Sequence, residues 1–152
     1  MFHVALFEPE IPPNTGNIAR LCGAVGATLH LIGRLGFRLD EKSLKRAGVD
    51  YWDAIKLVCH ESFEAFEPAI SPSRIWCFSA RGEVPFTQVS YQQGDCFLFG
   101  GEAAGLPPWI MDKYSKQILT IPMPGSGSIR SLNLATSAGI AVYEGLRQLH
   151  QW

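Results

Sequence analysis

The 152-residue sequence is 47% hydrophobic and 18% charged, with a formal net charge of −1. This composition excludes a disordered chain, which lacks the apolar surface to offset ordering entropy, and the length suits one domain with a self-sufficient core. No apolar run approaches the ~20 residues of a membrane helix, and the first seven residues lack the basic start and small-residue cleavage site of a secretion signal, so a cytoplasmic protein with no membrane partner is expected.

Residues 2–7 form a short apolar run stopped by Glu8-Pro9, which reads as a buried strand. Pro12-Pro13 then opens a helix whose apolar face carries Ile18, Leu21, Cys22 and Val25, and Gly26 ends it. At 100° per residue, Arg20 and Asn17 fall opposite that face. A second strand over 29–32 closes at Gly33, and a basic segment leads to a short helix over 43–47. Strands follow over 54–59 and 74–79, separated by a helix over 61–67 that Pro68 should stop. Further strands are expected over 95–99 and 117–121, with a helix over 109–114 between them. Ser131 is the expected N-cap of a last helix, which presents Ala135, Ala138, Val142, Leu146 and Leu149 on one side. Alternating strands and helices indicate an α/β fold with a mainly parallel sheet flanked by helices.

Cys22, Cys59, Cys77 and Cys96 are widely spaced among apolar neighbours and read as reduced, buried thiols. His3, His30, His60 and His150 show no ligand spacing, and no metal site is expected. The small net charge suits an RNA-binding protein only if basic residues are gathered in a patch. Arg34, Arg38, Lys42, Lys45 and Arg46, set against Asp40 and Glu41, are the candidate RNA-binding surface; a solvated loop and helix face is the alternative.

Three segments carry polar side chains that a core would not require. Glycines at the end of strand 95–99, Gly100-Gly101, let a ligand approach the backbone, and Glu102 follows them. The loop Gly125-Ser126-Gly127-Ser128 joins a strand to a helix whose first N–H groups suit an adenine edge, a carboxylate or a phosphate. Neither a dinucleotide-binding fingerprint nor a P-loop is present.

In order, Asn14-Thr15-Gly16-Asn17-Ile18-Ala19-Arg20, Phe99-Gly100-Gly101-Glu102-Ala103-Ala104-Gly105-Leu106-Pro107 and the run from Ile121 to Leu134 resemble the three motifs of the SPOUT, or α/β-knot, methyltransferases. The start Glu8-Pro9-Glu10-Ile11-Pro12-Pro13 is similar to the small branch that methylates the ribose 2′-OH of the tRNA wobble nucleotide. The resemblance covers nearly the whole chain and implies a single methyltransferase domain over 1–152 with a C-terminal trefoil knot. It also implies S-adenosylmethionine as methyl donor, a tRNA anticodon loop as substrate and a homodimer. By the same resemblance, Phe78, Gly100, Ile121, Met123, Ser131 and Leu132 hold the donor, while Asn14, Arg20, Glu102, Ser131 and Asn133 form the catalytic site, Arg20 acting on substrate held by the partner subunit. A guanidinium stays protonated in proteins, so a role for Arg20 in stabilising negative charge or fixing a phosphate is expected rather than general-base work. Many members carry a Ser or Thr and then a basic or polar residue at the place of Ala103-Ala104, so the resemblance implies a weakened phosphate contact or a changed substrate choice here. Another RNA ribose as substrate, or a catalytically silent RNA-binding dimer, are the alternatives.

Overall fold

The computed structural model describes residues 1–39 and 52–152; the expected helix over 43–47 and the candidate residues Lys42, Lys45 and Arg46 lie outside the described residues. The strands are β1 His3–Phe7, β2 Thr28–Ile32, β3 Lys56–His60, β4 Ile75–Phe78, β5 Val84–Pro85, β6 Cys96–Phe99 and β7 Ile118–Thr120. The α-helices are α1 Pro12–Val25, α2 Phe63–Ile70, α3 Pro108–Lys113 and α4 Leu134–His150. The described strands make one sheet in the order β3-β2-β1-β6-β4-β7-β5, and every pairing is parallel.

A parallel sheet with helices on both faces buries every residue of its central strands, so those strands read as unbroken apolar runs. Val4, Ala5 and Leu6 are fully buried, as are Cys96, Phe97 and Leu98. Their side chains alternate between two cores. One core joins Leu6, Leu31 and Phe97 to Ile18 and Cys22 of α1 and to Ala138, Val142 and Leu146 of α4. The other joins Ala5, Ile32 and Leu98 to Phe63 and Phe66 of α2 and Ile110 of α3. Gly145 lets α4 sit directly on the sheet, since a Cβ there would lie 2.9 Å from the rings of Phe2 and Phe97. Among the described residues, no helix is long and apolar enough to cross a membrane.

Four expectations need correction. The helix expected over 61–67 is Phe63–Ile70, capped by Ser62 Oγ, which accepts from Ala65 N. It runs through Pro68 because burying Ile70 and Phe66 in the second core outweighs one lost backbone bond. The strand expected over 54–59 begins at Lys56, after a single 3-10 turn over Trp52–Ala54. Cys59 is exposed, whereas Cys22, Cys77 and Cys96 are fully buried, because β3 is the outermost strand of the sheet on its side. The N-cap of α4 is Asn133, not Ser131: its Oδ1 accepts from Ala135 N at 2.9 Å and Thr136 N at 3.2 Å. The short strand β5 had no expected counterpart; it pairs with β7 over two residues, too few to leave a pattern.

The parallel register also gathers three histidines that sequence spacing keeps apart. Ala5 faces His30, and His30 faces Val58, so His3, His30 and His60 step diagonally across three strands. Nδ1 of His3 lies 2.9 Å from Nε2 of His30, and Nδ1 of His30 lies 2.9 Å from Nε2 of His60. Phe66 lies edge-on to His30 and His60. His30 uses a different nitrogen for each neighbour, so the three rings form a hydrogen-bonded row in which neutral imidazoles donate in sequence.

Burial, followed by the charges of His3 and His60, lowers the pKa of His30 to about 4. Burial also lowers His60, and burial with the nearby α-ammonium lowers His3. From about pH 6.5 down to pH 4 the unfolded chain therefore takes up protons that the folded chain refuses. Stability is expected to be flat between about pH 7 and pH 8 and to fall as pH drops through this window, by on the order of 3 kcal/mol from His30 alone at pH 4. Urea melts across this range check the slope, which His30→Gln should flatten.

Candidate active site

The carboxyl ends of β4, β6 and β7 and the first turns of α1 and α4 enclose a cavity of about 680 Å³, within the usual range for a small-molecule site. Its floor is backbone. After Phe99 the chain folds back on itself: Gly105 N donates to Gly101 O at 2.9 Å, and Gly105 takes a positive φ of 67°. A Cβ on Gly100 would lie 2.0 Å from the Gly105 carbonyl carbon, so only glycine fits there.

One chain of hydrogen bonds ties the three sequence motifs together in this cavity. Glu102 accepts from Glu10 N at 3.0 Å and Ile11 N at 2.5 Å, at the start of α1, which has no side-chain cap of its own. A carboxylate at that position is favoured by the helix dipole. Asn14 Nδ2 donates to Glu102 Oε2 at 3.4 Å, and Asn133 Nδ2 donates to Asn14 Oδ1 at 2.9 Å. Asn133 is thereby both the cap of α4 and the bridge to α1. Glu10 returns the clamp, accepting from Ala103 N at 3.2 Å. Each amide has its orientation set by partners on both sides, which is what holds a reacting group in place.

Phe78, Gly100, Ile121, Met123, Ser131 and Leu132 all line the cavity, as do Asn14, Glu102 and Asn133. Arg20 does not line it: it is exposed, six residues further along α1 than Asn14, or roughly 9 Å of helix rise. Asn17 is exposed on the same side. Arg34 and Arg38 follow β2 and also stand outside the cavity. Sequence reasoning missed Ile11, Arg81, Arg130 and Ser137 among the lining residues. For Arg81 the available signal was its place just beyond the carboxyl end of an apolar strand, where ligands of open α/β sheets bind.

The cavity suits a nucleoside-bearing ligand. Phe78, Phe99, Ile121, Met123 and Leu134 offer apolar walls, while backbone from Gly100 to Leu106 and the loop before α4 offer polar edges. Among the described residues, no group of three His, Cys, Asp or Glu side chains is placed to hold a metal ion.

Comparison with known proteins bears on this arrangement. Residues 1–143 match the family model described as the SpoU rRNA methylase family. The chain is 47% identical over 151 residues to a Saccharophagus degradans protein named tRNA (cytidine(34)-2'-O)-methyltransferase, covering 98% of this chain and 96% of the relative. It is 44% identical to the Escherichia coli K12 protein of the same name, covering 98% and 94%. A solved structure described as "Structural insights into the 2-OH methylation of C/U34 on tRNA" superposes with a TM-score of 0.93 at 47% identity, covering 100% of this chain and 98% of that one. The SpoU methyltransferase AviRb from Streptomyces viridochromogenes, in complex with the cofactor AdoMet, superposes with a TM-score of 0.80 at 28% identity, covering 99% and 61%.

Proposed function

The chain belongs to the SpoU rRNA methylase family, and we propose that it transfers a methyl group from S-adenosylmethionine to the ribose 2′-OH of the tRNA wobble nucleotide, cytidine-34 or uridine-34. The observation that carries this reading is the single hydrogen-bond chain Glu102–Asn14–Asn133, which joins the three motifs at one cavity in a chain similar end to end to tRNA (cytidine(34)-2'-O)-methyltransferases.

S-adenosylmethionine carries the methyl group on a sulfonium, so the donor is already activated and the protein contributes position and electrostatics. Phe78, Gly100, Ile121, Met123, Ser131 and Leu132 would hold the donor. Asn14 and Asn133, each oriented by a neighbour, present amide groups to the substrate ribose at the start of α4. Glu102 fixes the start of α1 against the donor loop. Arg20 stabilises the negative charge that grows on the 2′-oxygen or grips the adjoining phosphate, and water or that phosphate takes the proton.

Because Arg20 stands outside the cavity of its own chain, the reading includes a homodimer in which it serves the partner's site. An exposed apolar stripe on α4 supports a self-complementary two-fold contact: Ile140, Tyr143 and, just beyond the helix, Trp152, which is 66% exposed. Arg34 and Arg38 would meet the anticodon loop, whose unstacked bases are open to recognition. The proposal places the enzyme in the cytoplasm as one methyltransferase domain over 1–152. Family membership implies that the chain after β7 is knotted.

The test is methyl transfer from labelled S-adenosylmethionine to tRNA lacking wobble ribose methylation, followed by mapping of the label. Label on the 2′-oxygen of nucleotide 34 is expected. Label on another ribose would replace the substrate assignment, and donor binding without transfer would favour a silent RNA-binding dimer.

A further inference from the structure

The arginines divide by the edge of the sheet that they occupy. Arg74, just before β4, forks onto the buried Asp95 at 2.8 and 2.6 Å, and Arg147, near the end of α4, pairs with Glu144 at 2.8 Å. Both belong to the amino edge. Arg81 follows β4 and Arg130 follows β7, at the carboxyl edge where the cavity opens, the same edge as Arg34 and Arg38 beyond β2. Among the described residues, neither the Arg81 nor the Arg130 guanidinium has an ion-pair or hydrogen-bond partner.

The carboxylates around the cavity do not answer these charges. Glu8 accepts from Arg34 N, Glu10 from Ala103 N, and Glu102 from Glu10 N and Ile11 N. Glu83, two residues beyond Arg81, is exposed. Arg81 is also well placed by its backbone. Its N–H donates to Ser79 Oγ at 3.1 Å, and Gly82 N donates to Ser79 O at 3.1 Å. A Cβ on Gly82 would lie 2.9 Å from the Leu119 carbonyl, so the turn is pinned against β7. Arg81 and Arg130 both line a cavity whose motif loop contributes only the uncharged Ala103 and Ala104 at that point.

We propose that Arg81 and Arg130 form a phosphate-binding subsite at the mouth of the cavity. The subsite takes the polynucleotide phosphate adjoining the ribose to be methylated and extends the basic track of Arg34 and Arg38. This rests on the tRNA methyltransferase reading. Two exposed cations from separate loops suit a ligand arriving from solvent, and guanidiniums match phosphate oxygens in fork geometry. The carboxylate of the methyl donor has the same chemistry and is the rival source of the anion.

The experiment measures tRNA binding from about 50 to about 200 mM salt, donor binding by calorimetry, and wobble methylation. It uses wild type, Arg81→Ala, Arg130→Ala, the double variant, Arg81→Lys and Lys116→Ala. Lys116 is exposed on the opposite edge, just before β7, and its loss changes net charge equally. In the double variant, tRNA affinity should fall by about tenfold or more and the log–log salt slope should flatten by about 0.7 per arginine. Donor affinity should stay within about twofold, Lys116→Ala should match wild type, and Arg81→Lys should keep the salt slope, because the charge remains, while losing the part of the affinity that the guanidinium fork supplies.

An equal loss in Lys116→Ala, or a loss of donor affinity with tRNA affinity kept, would overturn the subsite. If wild type binds tRNA without methylating nucleotide 34, and the double variant still loses that binding, the function reading fails and the subsite stands. If wild type methylates nucleotide 34 and the double variant binds tRNA as wild type does, the subsite fails and the function stands.

Discussion

Gly100→Ala is expected to lower donor affinity at least about a hundredfold and to destabilise the fold by about 3 kcal/mol. A Cβ at this position would lie 2.0 Å from Gly105 C, 2.2 Å from Leu106 N and 2.5 Å from Gly105 O. All three are backbone atoms, so no side-chain rotation relieves the overlap. The loop from Gly101 to Leu106 must open instead. It carries Glu102, so opening it loosens the hydrogen bonds to Glu10 N, Ile11 N and Asn14, and through Asn14 the link to Asn133. Gly105→Ala makes the contrast. Its φ of 67° imposes strain of roughly 1–2 kcal/mol, but a Cβ there meets nothing within 4 Å. Donor affinity should therefore change much less. Calorimetric titration with S-adenosylmethionine and thermal melts of both variants check the pair; unchanged donor affinity in Gly100→Ala would mean that this loop does not hold the donor.

How far the site was legible in the sequence depended on whether its contacts are local. The buried strands were plain, because a central parallel strand is apolar along its whole length and 95–99 differs from β6 by one residue. Gly26 as the end of α1 was equally plain: it takes the left-handed φ of 74° that few other residues accept. The cap of α4 was not. Ser131 and Asn133 are both good cap residues two positions apart, and Asn133 wins through a second bond to Asn14, 119 residues earlier. Glu102 was legible as a site residue only through the motif it belongs to. It caps α1, ninety residues back in the chain, and stays in the cavity. The row of three histidines is set by strand register, which no spacing along the chain encodes. Arg81 belongs to no motif, and its value comes from lying at the same end of the sheet as Gly100 and Asn133.

Arg20→Ala is expected to cut kcat by about a hundredfold to a thousandfold, the usual cost of removing one group that stabilises charge in the transition state. Stability should barely change, since Arg20 is exposed on the face of α1 away from Ile18 and Cys22. KM for tRNA should rise no more than a few-fold if the guanidinium acts on the reacting oxygen, and more if it mainly grips a phosphate. The stronger test uses the position of Arg20 outside its own chain's cavity. The second partner is Ser131→Ala with Asn133→Ala, which removes polar groups from the cavity at a folding cost of about 1 kcal/mol for the lost cap. Each variant alone should be nearly inactive. When the two are mixed and allowed to exchange subunits, half the dimers pair one of each. In those dimers the intact cavity of the Arg20→Ala chain faces an intact Arg20 from its partner. If Arg20 works across the two-fold axis, methylation returns to about a quarter of the wild-type rate. If it works within its own chain, every site in every dimer lacks either its arginine or its cavity, and the mixture stays as inactive as its parts.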